Sequence, residues 1–147
     1  MLLQLRSIAL CLFLCASQGA WAVGNLDISR DWVRATAPGQ DVGAAYMTLT
    51  SSEDGTLTKV ESDAAGSVEI HSMTMKDGVM RMRMLETLPL KARQAVNLEP
   101  GGFHLMLFEL KEPLKAGASV TFKLHVQDSH GKQHIYTHSS PIKAAAD

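Results

Sequence analysis

The sequence predicts an all-β protein, either an antiparallel sandwich or a barrel. Apolar and polar residues alternate over many short segments, turn formers such as Leu88-Pro89 separate these segments, and no stretch follows the 3.6-residue period of an amphipathic helix. Many short, evenly spaced strands are typical of sandwiches and barrels. The predicted strands cover residues 26–34, 42–50, 56–61, 67–75, 79–85, 94–98, 103–110, 119–127 and 133–139.

The first 22 residues have the pattern of a cleaved secretory signal. Arg6 supplies a positive charge, an apolar segment too short to span a membrane follows it, and Ala20-Trp21-Ala22 supplies a cleavage site. A lipid anchor on Cys11 or Cys15 is disfavoured because a leucine precedes each cysteine. Residues 23–147 are therefore predicted to form one exported domain.

Composition excludes several classes of protein. Cleavage of the signal would remove both cysteines and leave 13 basic and 15 acidic residues. A blue-copper site needs a cysteine thiolate, and thiol-disulfide exchange needs a thiol, so neither is expected. A nearly neutral chain without a basic run is not expected to bind nucleic acid or an anionic membrane surface.

Two histidines and two methionines stand out as candidate metal ligands, namely His71, Met82, His104 and Met106. Thioether sulfur is a soft, neutral donor, and together with imidazole it favours monovalent copper over hard ions. Zinc is less favoured, because its sites combine cysteine, histidine and carboxylate, and no carboxylate is expected beside these four residues. The donor set therefore predicts a Cu(I) site.

The dipeptide Asp77-Gly78 predicts a tight hairpin turn within this region. In such a hairpin Met73 lies opposite Met82, and the side chains of His71 and the hairpin methionines share one face. Register alone does not decide whether Met73 or Met82 is the ligand. The methionines not assigned to the metal are predicted to fill gaps in the core, and these are Met73, Met75, Met80 and Met84.

The second half of the predicted site is a His-x-Met pair. His104 and Met106 alternate with Phe103, Leu105 and Leu107. Because successive side chains of a strand point to opposite faces, the two donors are predicted to lie on the face opposite the core.

The spacing of the four candidate ligands resembles that of the periplasmic copper chaperones of the PCu(A)C family, whose motif is a His, ten residues, a Met, twenty-one residues and His-x-Met. Ser51 departs from the family, which has an Asn there. The resemblance implies a cupredoxin-like Greek-key β fold and a periplasmic location. Other similar segments are Trp32-Val33-Arg34, Ala44-Ala45-Tyr46-Met47, Val68-Glu69-Ile70-His71, Gly78-Val79-Met80, Pro100-Gly101-Gly102, His104-Leu105-Met106-Leu107 and Leu110-Lys111.

The same resemblance implies partners. The protein is expected to deliver Cu(I) to the copper-centre subunit of a cytochrome c oxidase, alone or together with a thioredoxin-like copper chaperone. It is expected to be a monomer without a membrane span.

Histidines near the C-terminus raise the question of a second site for Cu(II), which imidazole clusters bind well. His125, His134 and His138 are predicted to share a face opposite Ile135, with His130 in the turn between the strands. A solvated polar face is favoured over a second copper site.

A few large side chains are expected to be structural. Arg34 is predicted to bind a carboxylate or a loop carbonyl. The aromatic residues predicted to anchor the core are Trp32, Tyr46, Phe103, Phe108 and Phe122.

These observations favour a copper carrier over three alternatives. A copper-sequestering or resistance protein would store the metal without a dedicated recipient, and it would bind more than one ion. A metal-free interaction module would bind none. An enzyme is the least expected, because no Ser-His-Asp arrangement and no pair of carboxylates stands out.

Overall fold

The computed structural model describes residues 24–144, so the predicted signal segment lies outside the described residues. Within residues 24–144, no helix is long and apolar enough to cross a membrane. The strands are β1 (Leu26–Arg34), β2 (Gly43–Ser51), β3 (Gly55–Ser62), β4 (Ala65–Lys76), β5 (Val79–Leu85), β6 (Leu88–Leu90), β7 (Ala95–Leu98), β8 (His104–Leu110), β9 (Ser119–Asp128) and β10 (Gln133–Lys143).

Seven of these strands close into a barrel. Hydrogen-bonded neighbours follow the order β4, β8, β2, β1, β10, β9 and β3, and the pairing of β3 with β4 completes the ring. All of these pairs are antiparallel except β1 and β10, which run parallel. Most neighbours are distant in sequence, as in Greek-key topologies. The predicted all-β fold is confirmed.

The other three strands extend the sheet outside the ring. Among the described strands, β5 pairs only with β4, and β6 pairs with β3. β2 pairs with β8 along its first half and with β7 along its second half. β7 and β8 therefore lie one after the other along the same edge of β2, and the segment that connects them lies between these two pairings.

Strict alternation of side chains fills the barrel. In β9, Phe122 and Leu124 are fully buried, while Lys123 between them is exposed. In β8, Leu105 and Leu107 are fully buried and alternate with the outward-facing residues. Each such side chain contributes roughly 1.5–3 kcal/mol by leaving water, so burial fixes which face of each strand points outward.

Leu88-Pro89, predicted as a turn, instead belongs to the short strand β6. Leu88 and Leu90 are buried, and Pro89 lies opposite Thr56 of β3. β6 ends the sheet at this edge, where the missing N–H of proline breaks no ladder.

The predicted aromatic anchors divide into two groups. Phe122 is fully buried in the barrel core, as predicted, whereas Tyr46 is buried and Trp32 and Phe108 are partly buried outside the core cluster. Phe103 is 37% exposed, so its assignment to the core is wrong. It precedes β8 and bridges to the end of β7, outside the barrel interior.

The hairpin of β4 and β5 has the predicted register. Asp77 and Gly78 both have positive φ, as a type I′ turn requires. Met73 lies opposite Met82, and His71 lies opposite Met84.

The prediction that the spare methionines fill the core is wrong for all four, since none of them belongs to the core cluster of the described residues. Met75, Met80 and Met84 are 70%, 55% and 52% exposed, whereas Met73 is partly buried. β4 pairs with β8 only as far as His71, so the end of the hairpin projects beyond the barrel and both of its faces meet solvent.

A carboxylate organises the turn between β9 and β10. Asp128 accepts hydrogen bonds from the backbone N–H groups of His130 and Lys132, both at 2.9 Å, and from Nε2 of His134 at 2.8 Å. The hydrogen bond from His134, followed by that from Lys132, lowers the pKa of Asp128 from 3.8 to about 2. The ionised carboxylate therefore stabilises the folded protein.

Replacing this carboxylate is expected to reduce the acid sensitivity of the protein. Because the pKa is lowered on folding, the stabilisation is complete above pH 3.8 and is lost as the pH falls through about 2. In urea unfolding at a series of pH values, D128N should lose less unfolding free energy over this interval than the wild type. D77N, in the turn of another hairpin, controls for the removal of one charge. Equal pH slopes for D128N and the wild type would contradict this role.

Candidate metal site

The register of the barrel brings the two candidate histidines together. In the β4–β8 pair, His71 lies directly opposite His104, and Glu69 lies opposite Met106. Paired residues of neighbouring strands share a face, so His71, His104 and Met106 lie on the same outer face. The ring centroids of His71 and His104 are 5.8 Å apart, with their planes inclined by 50°.

Three of the four candidate ligands line one open groove of about 360 Å³. They are Met82, His104 and Met106, and Met73 lines the groove beside Met82. His71 is not part of the lining, although its ring lies next to that of His104. The remaining lining residues are Arg34, Gln40, Val42, Gly43, Ala44, Tyr46, Pro100 and Gly101.

Exposure rises from the floor of the site to its mouth. His71 and His104 are only 9% and 4% exposed, Met106 is partly buried, and Met82 is 50% exposed. The imidazoles are therefore shielded from water, whereas one thioether is accessible from outside.

A loop carbonyl orients His104. The Nδ1 atom of His104 donates to the carbonyl oxygen of Gly102 at 3.0 Å, since a carbonyl can only accept. The same oxygen accepts a hydrogen bond from the backbone N–H of Met73 at 3.0 Å. In the neutral ring, Nε2 of His104 then carries the free lone pair that a metal needs. The loop thus fixes the histidine and ties it to the methionine hairpin.

His71 is oriented by a carboxylate. Its Nε2 atom lies 2.7 Å from Oε2 of Glu69 and donates to it. Its Nδ1 atom is buried and has no hydrogen-bond partner among the described residues. An unpaired buried acceptor is costly, and a metal ion bound at Nδ1 would satisfy it. A carboxylate on the other ring nitrogen is the usual support of a metal-binding histidine.

The expectation that no carboxylate lies beside the four residues is wrong. Glu69 contacts His71, and its place two residues earlier on the same strand face is the sequence signal that was missed. Even so, no three His, Cys, Asp or Glu side chains in residues 24–144 are grouped so as to hold a metal. The residues therefore fit a soft cation bound by imidazole and thioether better than zinc.

Arg34 and Tyr46 form a rim of the groove, a position that the sequence pattern did not predict for either residue. The guanidinium of Arg34 lies over the rings of Trp32 and Tyr46, 6.0 and 5.7 Å from their centroids, rather than on a carboxylate or loop carbonyl as predicted. In β2, Ala44 lies opposite Met106, and alternation places Tyr46 on the same face. That alternation could have identified Tyr46 as a neighbour of the site.

The C-terminal histidines do not share a face, so that prediction is wrong. His125 pairs with Ile135 and lies on the outer face, whereas His134 and His138 alternate with Ile135 and lie on the opposite face. His125, His134 and His138 pair with the carboxylates of Glu61, Asp128 and Asp31, at 2.7, 2.8 and 3.0 Å. The arrangement gives no support to a second copper site in this hairpin.

The barrel with this outer face is the fold of PCuAC domains. The structure matches “Copper-bound PCuAC domain from PmoF2” with a TM-score of 0.66 at 22% identity, covering 84% of this chain and 97% of that one. It matches apo-DR1885 from Deinococcus radiodurans with a TM-score of 0.58 at 26% identity, covering 97% of both chains. CuI-DR1885 matches with a TM-score of 0.54 at 28% identity, over 88% of this chain and 84% of that one. The predicted cupredoxin-like fold is confirmed.

The chain belongs to the LpqE-like family. The family model, described as “Putative lipoprotein LpqE-like”, matches residues 26–135. A relative, “Putative lipoprotein Lxx21020” from Leifsonia xyli subsp. xyli, is 30% identical over 105 residues, or 71% of this chain. The aligned segment spans 63% of that relative.

The two histidines are expected to have opposite tautomers in the metal-free protein at a pH where both are neutral. His104 should carry its proton on Nδ1 and His71 on Nε2, because their partners can only accept hydrogen bonds. Long-range ¹H–¹⁵N correlation spectra of ¹⁵N-histidine-labelled protein distinguish the tautomers. E69A should remove the preference of His71 and leave that of His104 unchanged. The same tautomer for both rings would contradict the proposed orientation.

Proposed function

We propose that this protein is an extracytoplasmic copper carrier that holds Cu(I) through His71, Met82, His104 and Met106 and passes it to a recipient protein. The observation that carries the proposal is one groove lined by Met82, His104 and Met106, beside the imidazole of His71, whose buried Nδ1 atom has no hydrogen-bond partner among the described residues.

The donor chemistry supports monovalent copper. All four donors are neutral, two are soft thioethers and two are imidazoles with a defined free nitrogen, a combination suited to Cu(I). The hydrogen bond to Glu69 makes His71 a stronger donor and places a negative charge near the cation. Loss of either imidazole would therefore cost more affinity than loss of the exposed thioether.

The names of the similar solved structures support copper as the cargo. One PCuAC domain of the same fold has been described as copper-bound, and DR1885 as bound to CuI. The lipoprotein description of the LpqE-like family supports a location outside the cytoplasm, in line with the predicted signal segment and periplasmic location.

The gradient of exposure suits transfer by ligand exchange. His71 and His104 are buried and held by hydrogen bonds, so they keep the ion in place. Met82 is half exposed on a hairpin outside the barrel, so a thiolate or thioether of the recipient can replace it first. The ion then leaves the two histidines last. This pathway needs neither a change of oxidation state nor catalysis.

The resemblance implies a recipient. The copper-centre subunit of a cytochrome c oxidase would receive the ion, directly or through a thioredoxin-like copper chaperone. A recipient must supply soft ligands for such an exchange.

Storage without a dedicated recipient is the second candidate function. The exposed methionines Met75, Met80 and Met84 favour it, because they are soft donors outside the first site. A carrier and a storage protein differ in the number of tightly bound ions and in whether a defined partner removes the ion.

Removal of the His-x-Met pair is expected to abolish tight copper binding. Residues 23–147 would be titrated with Cu(I) anaerobically against a chromophoric Cu(I) chelator, with an H104A/M106A variant alongside. The wild type should bind one tight equivalent, and the variant should lose it, a larger effect than the roughly 10–100-fold cost of losing an outer partner of a ligand. The control M75A/M80A changes two methionines that lie outside the groove and should keep the tight equivalent. Tight binding that survives H104A/M106A would contradict the site.

Single substitutions decide between the two methionines of the groove. M82L should lower Cu(I) affinity markedly because leucine keeps the volume of the side chain and removes the sulfur, while M73L should have a smaller effect. The two residues lie directly opposite each other in the β4–β5 hairpin, so each variant is the matched control for the other. The reverse order would make Met73 the ligand.

A further inference from the structure

The free end of the β4–β5 hairpin carries methionines where solvent-exposed strands normally carry polar residues. Met75 and Met80 are 70% and 55% exposed and lie directly opposite each other. The other face of the hairpin is polar, with Thr74 opposite Arg81. Exposed thioethers therefore occupy one face only, and it is the face that continues toward the groove.

The register places these thioethers close enough to share one ion. Side chains directly opposite each other on paired strands have Cβ atoms about 4.5–5.5 Å apart, and diagonal neighbours are about 7–8 Å apart. Methionine has three rotatable bonds beyond Cα, so the sulfurs of Met75, Met80 and Met73 can converge on one point. Met73 and Met82 form the adjacent pair along the hairpin.

We propose that Met75, Met80 and Met73 form a second, weaker Cu(I) site at the end of the hairpin, in which three thioethers bind the ion. Its affinity is lower than that of the groove because it has no imidazole donor and lies in solvent. The transfer of the ion between the two sites rests on the proposed function, whereas copper binding at the end of the hairpin does not.

The geometry gives this second site a role in loading and release. Met73 lies both at the hairpin end and in the groove, opposite Met82. An ion held by Met75, Met80 and Met73 reaches the groove when Met82 replaces the sulfur of Met75 or Met80. The step exchanges one neutral thioether for another, so neither charge nor oxidation state changes. The hairpin thus provides a path from solvent to the buried histidines.

The test is a titration followed at the methionine methyl groups. Protein labelled with ¹³C at the methionine methyls would be titrated anaerobically with Cu(I), and in parallel with Ag(I) as a redox-stable substitute. The first equivalent should shift the methyl signals of Met82 and Met106, and the second should shift those of Met75 and Met80. M75L/M80L should lose the second equivalent and keep the first.

A matched variant tests the location. M84L makes the same substitution on the same face of the hairpin, at a residue that is 52% exposed and lies four residues after Met80 in β5. This variant should keep the second equivalent. If M84L lost it as M75L/M80L does, or if M75L/M80L kept it, the hairpin-end site would be wrong. The same holds if excess metal left the methyl signals of Met75 and Met80 unchanged.

The two proposals fail separately. Weak binding at Met75 and Met80 that persists in H104A/M106A supports the hairpin-end site whatever happens at the groove. If the wild type bound only there, the proposed carrier site would be wrong and the hairpin-end site would stand. If the wild type bound only at the groove, the reverse would hold.

Discussion

The pairing of β4 with β8 is the constraint on which the candidate metal site depends. It sets His71 opposite His104 and, on the opposite face, Ile70 opposite Leu105. A slip of one residue would turn the donors of one strand inward and its apolar side chains outward. Because Ile70 and Leu105 are buried in the barrel, the hydrophobic core holds the register, and the register holds the two imidazoles together.

The site joins a rigid part of the fold to a part that can move. His71 and His104 belong to the closed barrel, and each has a hydrogen bond that fixes its ring. Met82 comes from β5, which has only one neighbouring strand. Elements with few contacts open more readily than core strands. In the proposed carrier, retention of the ion would therefore depend on the barrel, and exchange would depend on the hairpin.

Local sequence rules predicted what depends on local geometry. The turn at Asp77-Gly78 set the hairpin register, and alternation placed His104 and Met106 on the outer face. The predictions were wrong where a distant contact or the length of a loop determines the exposure of a side chain or the face on which it lies. The exposure of Met75 and Met80 follows from where the barrel ends, and the face of His125 follows from the turn after β9. One residue more or fewer in that turn would have placed His125 on the face of His134.

In the proposed carrier, the buried Nδ1 atom of His71, which has no hydrogen-bond partner among the described residues, would link copper binding to the stability of the whole domain. A buried acceptor without a partner costs about 1–3 kcal/mol, a cost that the metal-free protein would bear at Nδ1. An ion bound at Nδ1 removes it, and a ligand that binds only the folded state raises the free energy of unfolding further. The copper-bound and copper-free forms of the proposed carrier would therefore differ in folding free energy. A recipient or a protease that senses local unfolding would then distinguish the two forms without contacting the metal.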